Sequence, residues 1–157
     1  MIIGIAAVDR KGAIGKGGKL PWHYSADMKF FRETTTGHAV VMGRKTWLTI
    51  GKPLKNRLNI VLSRDSNIEP QESLLVLSDI ESVISFSEKL TTDLFVIGGA
   101  QIYNAFLPHI EQWIITEVPL KVSGADALMP EGYLEGFKES ASKDLDDDLV
   151  VKYFSRG

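Results

Sequence analysis

The fold is decided by one stretch in the first third of the chain, Ala39-Val40-Val41-Met42-Gly43-Arg44-Lys45-Thr46-Trp47. Its first four residues are apolar, two of them β-branched, which predicts a strand covered on both faces. The glycine lets the backbone turn tightly, and the residues after it open a helix. A strand that passes through a glycine turn into a helix is a building unit of α/β domains.

Similar apolar runs recur along the chain, and helical stretches lie between several of them. The predicted strands are Ile2 to Val8, Ala39 to Met42, Leu58 to Leu62, Leu74 to Leu77, Leu94 to Ile97, Trp113 to Val118 and Leu149 to Phe154. Further helices are predicted from Ser25, as the cap, to Thr34, from Ser78 or Asp79 to Leu90, and from Ala100 to Leu107, before Pro108. This alternation predicts an α/β domain with a mostly parallel sheet, closed by an antiparallel hairpin around residues 146–148.

Length and composition limit the function classes. A chain of 157 residues predicts a single domain, residues 1–157. Cysteine is absent and the three histidines lack metal-ligand spacing, so we expect no metal site. A net charge of −2 gives no general affinity for nucleic acid, and no apolar run is long enough to span a bilayer. We therefore expect a soluble, cytoplasmic monomer without nucleic-acid or membrane partners.

Asp27 is the candidate catalytic carboxylate. In a helix that begins near Ser25 it shares a face with Phe31 and Thr34, and that face otherwise turns to the core. A carboxylate there is costly unless it has a partner. Asp27 could complement the helix dipole, pair with a buried arginine, or bind a ligand edge that offers two N–H donors. The preceding Pro21-Trp22, a rigid turn with an aromatic wall, favours the ligand but leaves all three interpretations open.

Two glycine turns are candidates for binding a dinucleotide. One contains Gly43, and the other lies in Val96-Ile97-Gly98-Gly99-Ala100-Gln101-Ile102-Tyr103. Glycine admits a phosphate close to the backbone, and free N–H groups at a helix start bind anions. Neither turn has the GxGxxG or Walker A spacing, but together they outline two halves of a site. Arg44-Lys45 and Ser63-Arg64 suit a 2′-phosphate better than a ribose diol, with solvated surface charge as the alternative.

A glycine-rich stretch, Asp9 to Lys19, joins the first strand to the first helix. It carries four glycines and few apolar residues. Such a loop is either a mobile lid over a site or a flexible connector, and composition does not decide between them.

In their order along the chain, these residues resemble the dihydrofolate reductase family. Each motif is weak alone, but the ordered set is specific and covers nearly the whole chain. It comprises Ile5-Ala6-Ala7, Ile14-Gly15, Leu20-Pro21-Trp22, Asp27, Phe31, Gly43-Arg44-Lys45-Thr46-Trp47, Ile50-Gly51, Pro53-Leu54, Arg57, Leu62-Ser63-Arg64, Ile97-Gly98-Gly99, Ile102-Tyr103 and Thr116.

The resemblance implies an α/β fold with a mostly parallel eight-stranded sheet flanked by four helices and a C-terminal antiparallel strand. It also implies NADPH-dependent reduction of 7,8-dihydrofolate to 5,6,7,8-tetrahydrofolate in one-carbon metabolism, with antifolates as inhibitors. Hydride goes to C6 of the pterin and a proton to N5. Asp27 is expected to orient and polarise the pterin, sharing an ordered water with Thr116, rather than to donate the proton itself.

The resemblance also assigns residues to the two ligands. The catalytic set is Asp27, Leu20, Trp22 and Thr116. The substrate set adds the walls Ile5, Ala6, Met28, Phe31, Ile50 and Leu54, and the glutamate-tail partners Lys52 and Arg57. The cofactor set is Ala7, Ile14, Gly15, Gly18, Lys19, Gly43, Arg44, Lys45, Thr46, Leu62, Ser63, Arg64, Ile97, Gly98, Gly99, Ala100, Gln101, Ile102 and Tyr103, with a cis peptide expected between Gly98 and Gly99.

The sequence departs from other members at several of these positions. Lys52 stands where others have arginine, so a bidentate grip on the tail is lost. Ala100-Gln101 replaces a Gly-Arg pair and removes one cation. Two rival functions also stay open: a same-fold reductase of a riboflavin precursor, and a non-catalytic module that binds antifolates or nucleotides.

Overall fold

Ten strands and four α-helices are formed by the residues that the computed structural model describes, 1–15, 22–64, 67–69 and 71–157. The strands are β1 Ile2–Val8, β2 Ala13–Gly15, β3 Ala39–Gly43, β4 Leu58–Leu62, β5 Leu74–Leu77, β6 Leu94–Val96, β7 Gln112–Glu117, β8 Ala127–Leu128, β9 Phe137–Asp144 and β10 Val150–Arg156. The helices are α1 Ser25–Thr35, α2 Arg44–Ile50, α3 Ile80–Ser87 and α4 Ala100–Phe106, and a 3-10 turn, Leu107–His109, follows α4.

Eight of the strands form one sheet in the order β5-β4-β3-β6-β1-β7-β10-β9. The pairs from β5 to β7 are all parallel, whereas β10 runs antiparallel to both β7 and β9. The predicted sheet, its four helices and the terminal hairpin are therefore confirmed. The hairpin turns through Asp147 and Asp148, whose φ angles of 64° and 61° are left-handed, a conformation that aspartate tolerates better than most residues.

The continuous apolar runs reflect burial on both faces of the sheet. In β3, Val41 packs into one core, whereas its neighbours Val40 and Met42 pack into the other. Successive side chains of a strand point to opposite faces, so a strand covered on both sides needs apolar residues at every position.

The ends of the helices differ from the predicted ones. Ser25 is not the cap of α1, because the extended residue before the helix is Tyr24 and no side-chain hydrogen bond caps it. Asp79 does cap α3, and its carboxylate accepts a hydrogen bond from the N–H of Ser82. Helix α3 ends three residues early, at Ser87, and α4 one residue early, at Phe106, because single turns bonded three residues apart follow them.

The glycine-rich stretch is more ordered than a connector in its first half. Residues 13–15 form β2, which pairs antiparallel with β8 near the end of β7. This short strand was not predicted. Its second half, with the predicted Gly18, Lys19 and Leu20, lies outside the described residues.

The core beside the central strand depends on a large residue placed over a small one. Trp113 of β7 is fully buried, and a Cβ atom on Gly4 of β1 would lie 2.3 Å from its ring. The glycine therefore makes room for the indole. Among the described residues no helix is long and apolar enough to cross a membrane.

Candidate active site

A cleft can form at the carboxyl ends of the parallel strands, where ligands bind in open α/β sheets. Strand β1 lies between β6 and β7, and its residues are buried except for Ala6 and Ala7, which are half-buried. Two small, partly open residues, one on each face of the sheet, leave space around the carboxyl end of this central strand. Register pairs Ala7 with Thr116 of β7, so the two residues stand side by side at this opening.

Asp27 and Thr116 meet at this opening. Asp27 lies in the first turn of α1, and the hydroxyl of the buried Thr116 hydrogen-bonds to its carboxylate. Burial raises the pKa of Asp27, and the hydrogen bond from Thr116 opposes that rise without cancelling it. The carboxylate, which is only partly desolvated, can still accept hydrogen bonds from a ligand.

Trp22 packs in the same cluster as Ala7, the register partner of Thr116. Its side chain clusters with Val118 and Leu149, and Ala7 packs against the same group. The indole is 8% exposed, and its N–H has no hydrogen-bond acceptor among the described residues. A buried donor of this kind can be satisfied by a ligand or by ordered water.

Arg57 forms a second buried polar centre, separated in sequence from Asp27. Its guanidinium donates to the hydroxyl of Thr35 at 3.0 Å and to the carbonyl of Lys55 at 2.9 Å. Both acceptors are neutral, and no carboxylate of the described residues forms an ion pair with it. Burial, followed by the nearby charge of Arg32, lowers the pKa of Arg57. Such a guanidinium is a receptor for an anion.

Asn59 holds the segment that presents Arg57, and sequence reasoning missed it. The side chain is fully buried. Its amide accepts from the N–H of Leu54 at 2.9 Å and donates to the carbonyls of Leu54 and Arg57 at 3.0 Å each. The available signal was an asparagine inside the apolar strand β4, since a buried amide must find partners. Thr35, the partner of Arg57, carried no such signal.

The two glycine turns lie next to each other. They follow β3 and β6, which are adjacent parallel strands, and the N–H of Gly43 donates to the carbonyl of Gly98 at 3.0 Å. A Cβ on Gly43 would lie 2.8 Å from Cγ1 of Ile102, and the Gly98–Gly99 peptide is cis as expected. Two helices, α2 and α4, begin at these turns, so their free N–H groups face the same edge of the sheet.

Tyr103 connects the turns to the central strand. Its hydroxyl donates to the carbonyl of Ile5 at 2.7 Å, and its ring lies against the space beside Gly98. Burial, and then the charge of Asp27, raises the pKa of Tyr103, so the phenol stays protonated and keeps this bond. The residue fixes the distance between the opening over β1 and the second glycine turn.

Comparison with known proteins identifies the family. The family model described as dihydrofolate reductase matches residues 1–154. The chain belongs to the dihydrofolate reductase family. It is 36% identical to the dihydrofolate reductase of Staphylococcus haemolyticus over 92% of this chain and 86% of that protein. It is 39% identical to that of Bacillus subtilis, over 83% and 76%.

A solved structure agrees with these relatives. Dihydrofolate reductase from Enterococcus faecalis, complexed with NADP(H) and RAB-propyl, superposes with a TM-score of 0.91 and 29% identity, over 100% of this chain and 96% of that one. The predicted activity, NADPH-dependent reduction of 7,8-dihydrofolate, is thereby confirmed, and NADPH as its cofactor with it.

The basic residues between positions 44 and 64, which the resemblance to dihydrofolate reductase divides between two ligands, are also divided in space. Arg57 is buried, whereas Arg44, Lys45, Lys52 and Arg64 are exposed. Arg44 opens α2 at the first glycine turn, and Arg64 follows β4, the neighbour of β3. These two cations therefore lie on the side of the glycine turns, away from the first strand.

The other predicted dihydrofolate reductase residues fall into three groups by exposure. Met28 and Gln101 are exposed, Met28 by 52%. Ile5, Gly15, Gly43, Gly98 and Tyr103 are buried, and most of the remainder are half-buried: Ile14, Phe31, Thr46, Ile50, Leu54, Leu62, Ser63, Ile97, Gly99, Ala100 and Ile102. Half-burial suits residues that line a cleft. The described residues contain no group of three or more side chains able to hold a metal ion.

Proposed function

We propose that the pterin of dihydrofolate binds over Ala6 and Ala7, with Asp27 accepting hydrogen bonds from N3 and the 2-amino group. The observation that carries this proposal is a desolvated carboxylate whose hydroxyl partner, Thr116, leaves acceptor positions open. A carboxylate has about four acceptor sites, so one bond from Thr116 leaves room for a bidentate ligand edge. The substrate walls are Ile5, Met28, Phe31, Ile50 and Leu54.

Asp27 acts on the pterin by position and charge. Its hydrogen bond from Thr116 holds the carboxylate in one orientation against the ring. The negative charge favours the protonated pterin, so N5 takes its proton more readily, and water delivers that proton. Trp22 closes the apolar side of the opening and keeps bulk water away from the reacting face.

Arg57 binds the α-carboxylate of the glutamate tail in this proposal. Two N–H groups of its guanidinium are bonded to Thr35 and to the carbonyl of Lys55, which leaves the other N–H groups for a carboxylate. Lys52 is exposed and adds at most a screened charge at the cleft mouth.

The glycine turns fit NADPH. Gly43 and Gly98 are in backbone contact, and a Cβ built on Gly99 would meet no atom of the described residues within 4 Å, so the backbone of the second turn lies open to a phosphate. Thr46 and the N–H groups of the second turn hold the pyrophosphate. Arg44, Lys45, Ser63 and Arg64 receive the 2′-phosphate, while Ala7, Ile14 and Tyr103 surround the nicotinamide. When bound, NADPH supplies the hydride.

We further propose that the chain works as one domain, as a monomer and in the cytoplasm. One sheet takes strands from both ends of the chain, and the match to the family runs from residue 1 to residue 154.

A single assay tests the reaction. Purified protein with NADPH is given dihydrofolate, a riboflavin precursor, or no substrate, and the loss of NADPH absorbance is followed. Turnover with dihydrofolate alone is expected. Turnover of the flavin precursor alone would favour the rival reductase, and NADPH binding without any turnover would favour a binding module.

A further inference from the structure

Asp9, directly after β1, carries a buried carboxylate that joins two loops. One oxygen, Oδ1, accepts from the N–H groups of Lys11 and Ala13 at 2.8 Å each. The other, Oδ2, accepts from the N–H of Val122 at 2.7 Å. The side chain is 5% exposed, so these bonds are shielded from water. Three backbone donors would lose their acceptor if the carboxylate were removed.

The carboxylate is ionised in this setting. Burial alone would raise the pKa of Asp9, but the N–H groups of Val122, Ala13 and Lys11 outweigh burial, and its pKa is lowered. An amide is a poor substitute, since its NH2 group cannot accept from a backbone N–H. Aspartate is therefore the side chain that the three donors select.

The two loops joined by Asp9 flank the opening above β1. The first leads into β2, with Ile14 at its centre. The second continues from β7 beyond Thr116. A backbone hydrogen bond also joins these two loops, since the N–H of Arg10 donates to the carbonyl of Leu120 at 2.9 Å.

We propose that Asp9 is a positioning residue that fixes Ile14 against the nicotinamide end of the cofactor site by anchoring the loop before β2 to the loop after β7. The inference rests on the proposed placement of Ala7 and Ile14 around the nicotinamide. Asp9 touches neither ligand. Its influence reaches the reaction through the position of the backbone at residues 11–14.

The inference predicts an effect confined to one end of the cofactor. In Asp9→Asn the Kd for NADPH rises about tenfold, the size expected for losing one or two buried hydrogen bonds. The Kd for 2′,5′-ADP, a fragment without nicotinamide, stays within about twofold. Hydride transfer, timed with deuterated NADPH, slows as well. Serine at this position can still accept a hydrogen bond from an N–H group of its own loop, but it is too short to reach Val122. We therefore expect Asp9→Ser to have the same effects as Asp9→Asn.

Asp79→Asn is the matched control. Asp79 also accepts from a backbone N–H, at 2.7 Å, but it caps the helix after β5, the outermost strand. Its variant should leave both affinities and the hydride step unchanged.

Two results would overturn the inference. In the first, the Asp9 variants lower the melting temperature but leave the ratio of the NADPH and 2′,5′-ADP affinities unchanged, which marks a purely structural bond. In the second, both affinities fall together. Failure of the native protein to turn over dihydrofolate would instead count against the proposed function.

Discussion

The substrate half and the cofactor half of the site are built in different ways. The proposed substrate half relies on buried polar side chains, Asp27 with Thr116 and Arg57 with Thr35. The proposed cofactor half relies on backbone, since the N–H of Gly43 bonds to the carbonyl of Gly98 and exposed cations stand around these turns. A side chain provides chemistry, and a bare backbone provides space. Substitutions should therefore change rate and pH dependence in one half, and affinity and packing in the other.

Asp27→Asn should have the largest effect. Removing the charge takes away the polarisation of the pterin, and we expect hydride transfer near neutral pH to fall roughly 10²–10⁴-fold. Single-turnover measurements with dihydrofolate and NADPH would show it, and NADPH binding serves as the control because it should barely change. Near-normal rates of hydride transfer would contradict the role of Asp27 in polarising the pterin.

The same variant should be more stable than the native protein at neutral pH. Since the pKa of Asp27 is raised on folding, the folded state binds the proton more tightly than the unfolded one. Native stability therefore falls as pH rises from the unfolded pKa through the folded pKa, and asparagine removes that loss. Chemical denaturation at several pH values measures it, and identical pH dependence of the two proteins would contradict the sign.

Arg44→Ala combined with Arg64→Ala should have the next largest effect. A hydrogen bond to a charged group contributes about 1.5–3 kcal/mol, and solvent screening at these exposed arginines reduces that energy, so the loss of both should lower the preference for NADPH over NADH roughly 10–100-fold. The ratio of kcat/KM for the two cofactors measures it. Lys89→Ala with Lys138→Ala removes the same charge elsewhere and should leave the ratio intact. If the arginine variant also kept its ratio, the phosphate assignment would be wrong.

Gly43→Ala tests the backbone half directly. The new methyl group would lie 2.8 Å from Cγ1 of Ile102, and overpacking of this kind costs roughly 1–3 kcal/mol of the free energy of unfolding. Adding Ile102→Ala should relieve part of the loss, which a double-mutant cycle measures as coupling between the two sites. Strict additivity would show that the contact is not the cause.

Thr116→Val should have the smallest effect. Valine keeps the shape of the side chain but removes the hydrogen bond to Asp27. The loss of about 1 kcal/mol should slow hydride transfer roughly fivefold. Because that bond lowers the pKa of Asp27, the pH profile of hydride transfer should move to higher pH. Thr36→Val, which removes a surface hydroxyl bonded to the carbonyl of Arg32 at 2.6 Å, is the control. An unchanged pH profile would show that Thr116 does not influence the pKa of Asp27.

Much of the fold and part of the site could be predicted from the chain alone. The runs that became β1, β4 and β5 were predicted to the residue, because burial on both faces leaves a continuous apolar pattern. The first residue of α1 was harder to predict, because the capping position is set by the extended backbone angles of Tyr24 and not by the serine beside it. The strand β2 escaped detection because its partner β8 lies more than a hundred residues away.

The residue types at the two centres followed from sequence, but their partners did not. An aspartate in the first turn of a helix and an arginine in a basic stretch were visible as candidates. Their partners could not be predicted, since Asp27 is bonded to Thr116 rather than to an arginine, and Arg57 is bonded to Thr35. The bond between Asp9 and Val122 was invisible for the same reason, whereas the side chain of Asn59 bonds to residues two and five positions away along the chain.

By itself the sequence determined the order of most strands and helices along the chain, the family, the reaction and the identity of the candidate carboxylate, because periodicity and ordered motifs are local properties of a chain. Only the tertiary structure decided which residues touch. It paired Gly43 with Gly98, Tyr103 with Ile5 and Asp9 with Val122, contacts that span between 55 and 113 positions. Hydrogen bonds act over about 3 Å in space whatever the separation along the chain, so no local pattern records them.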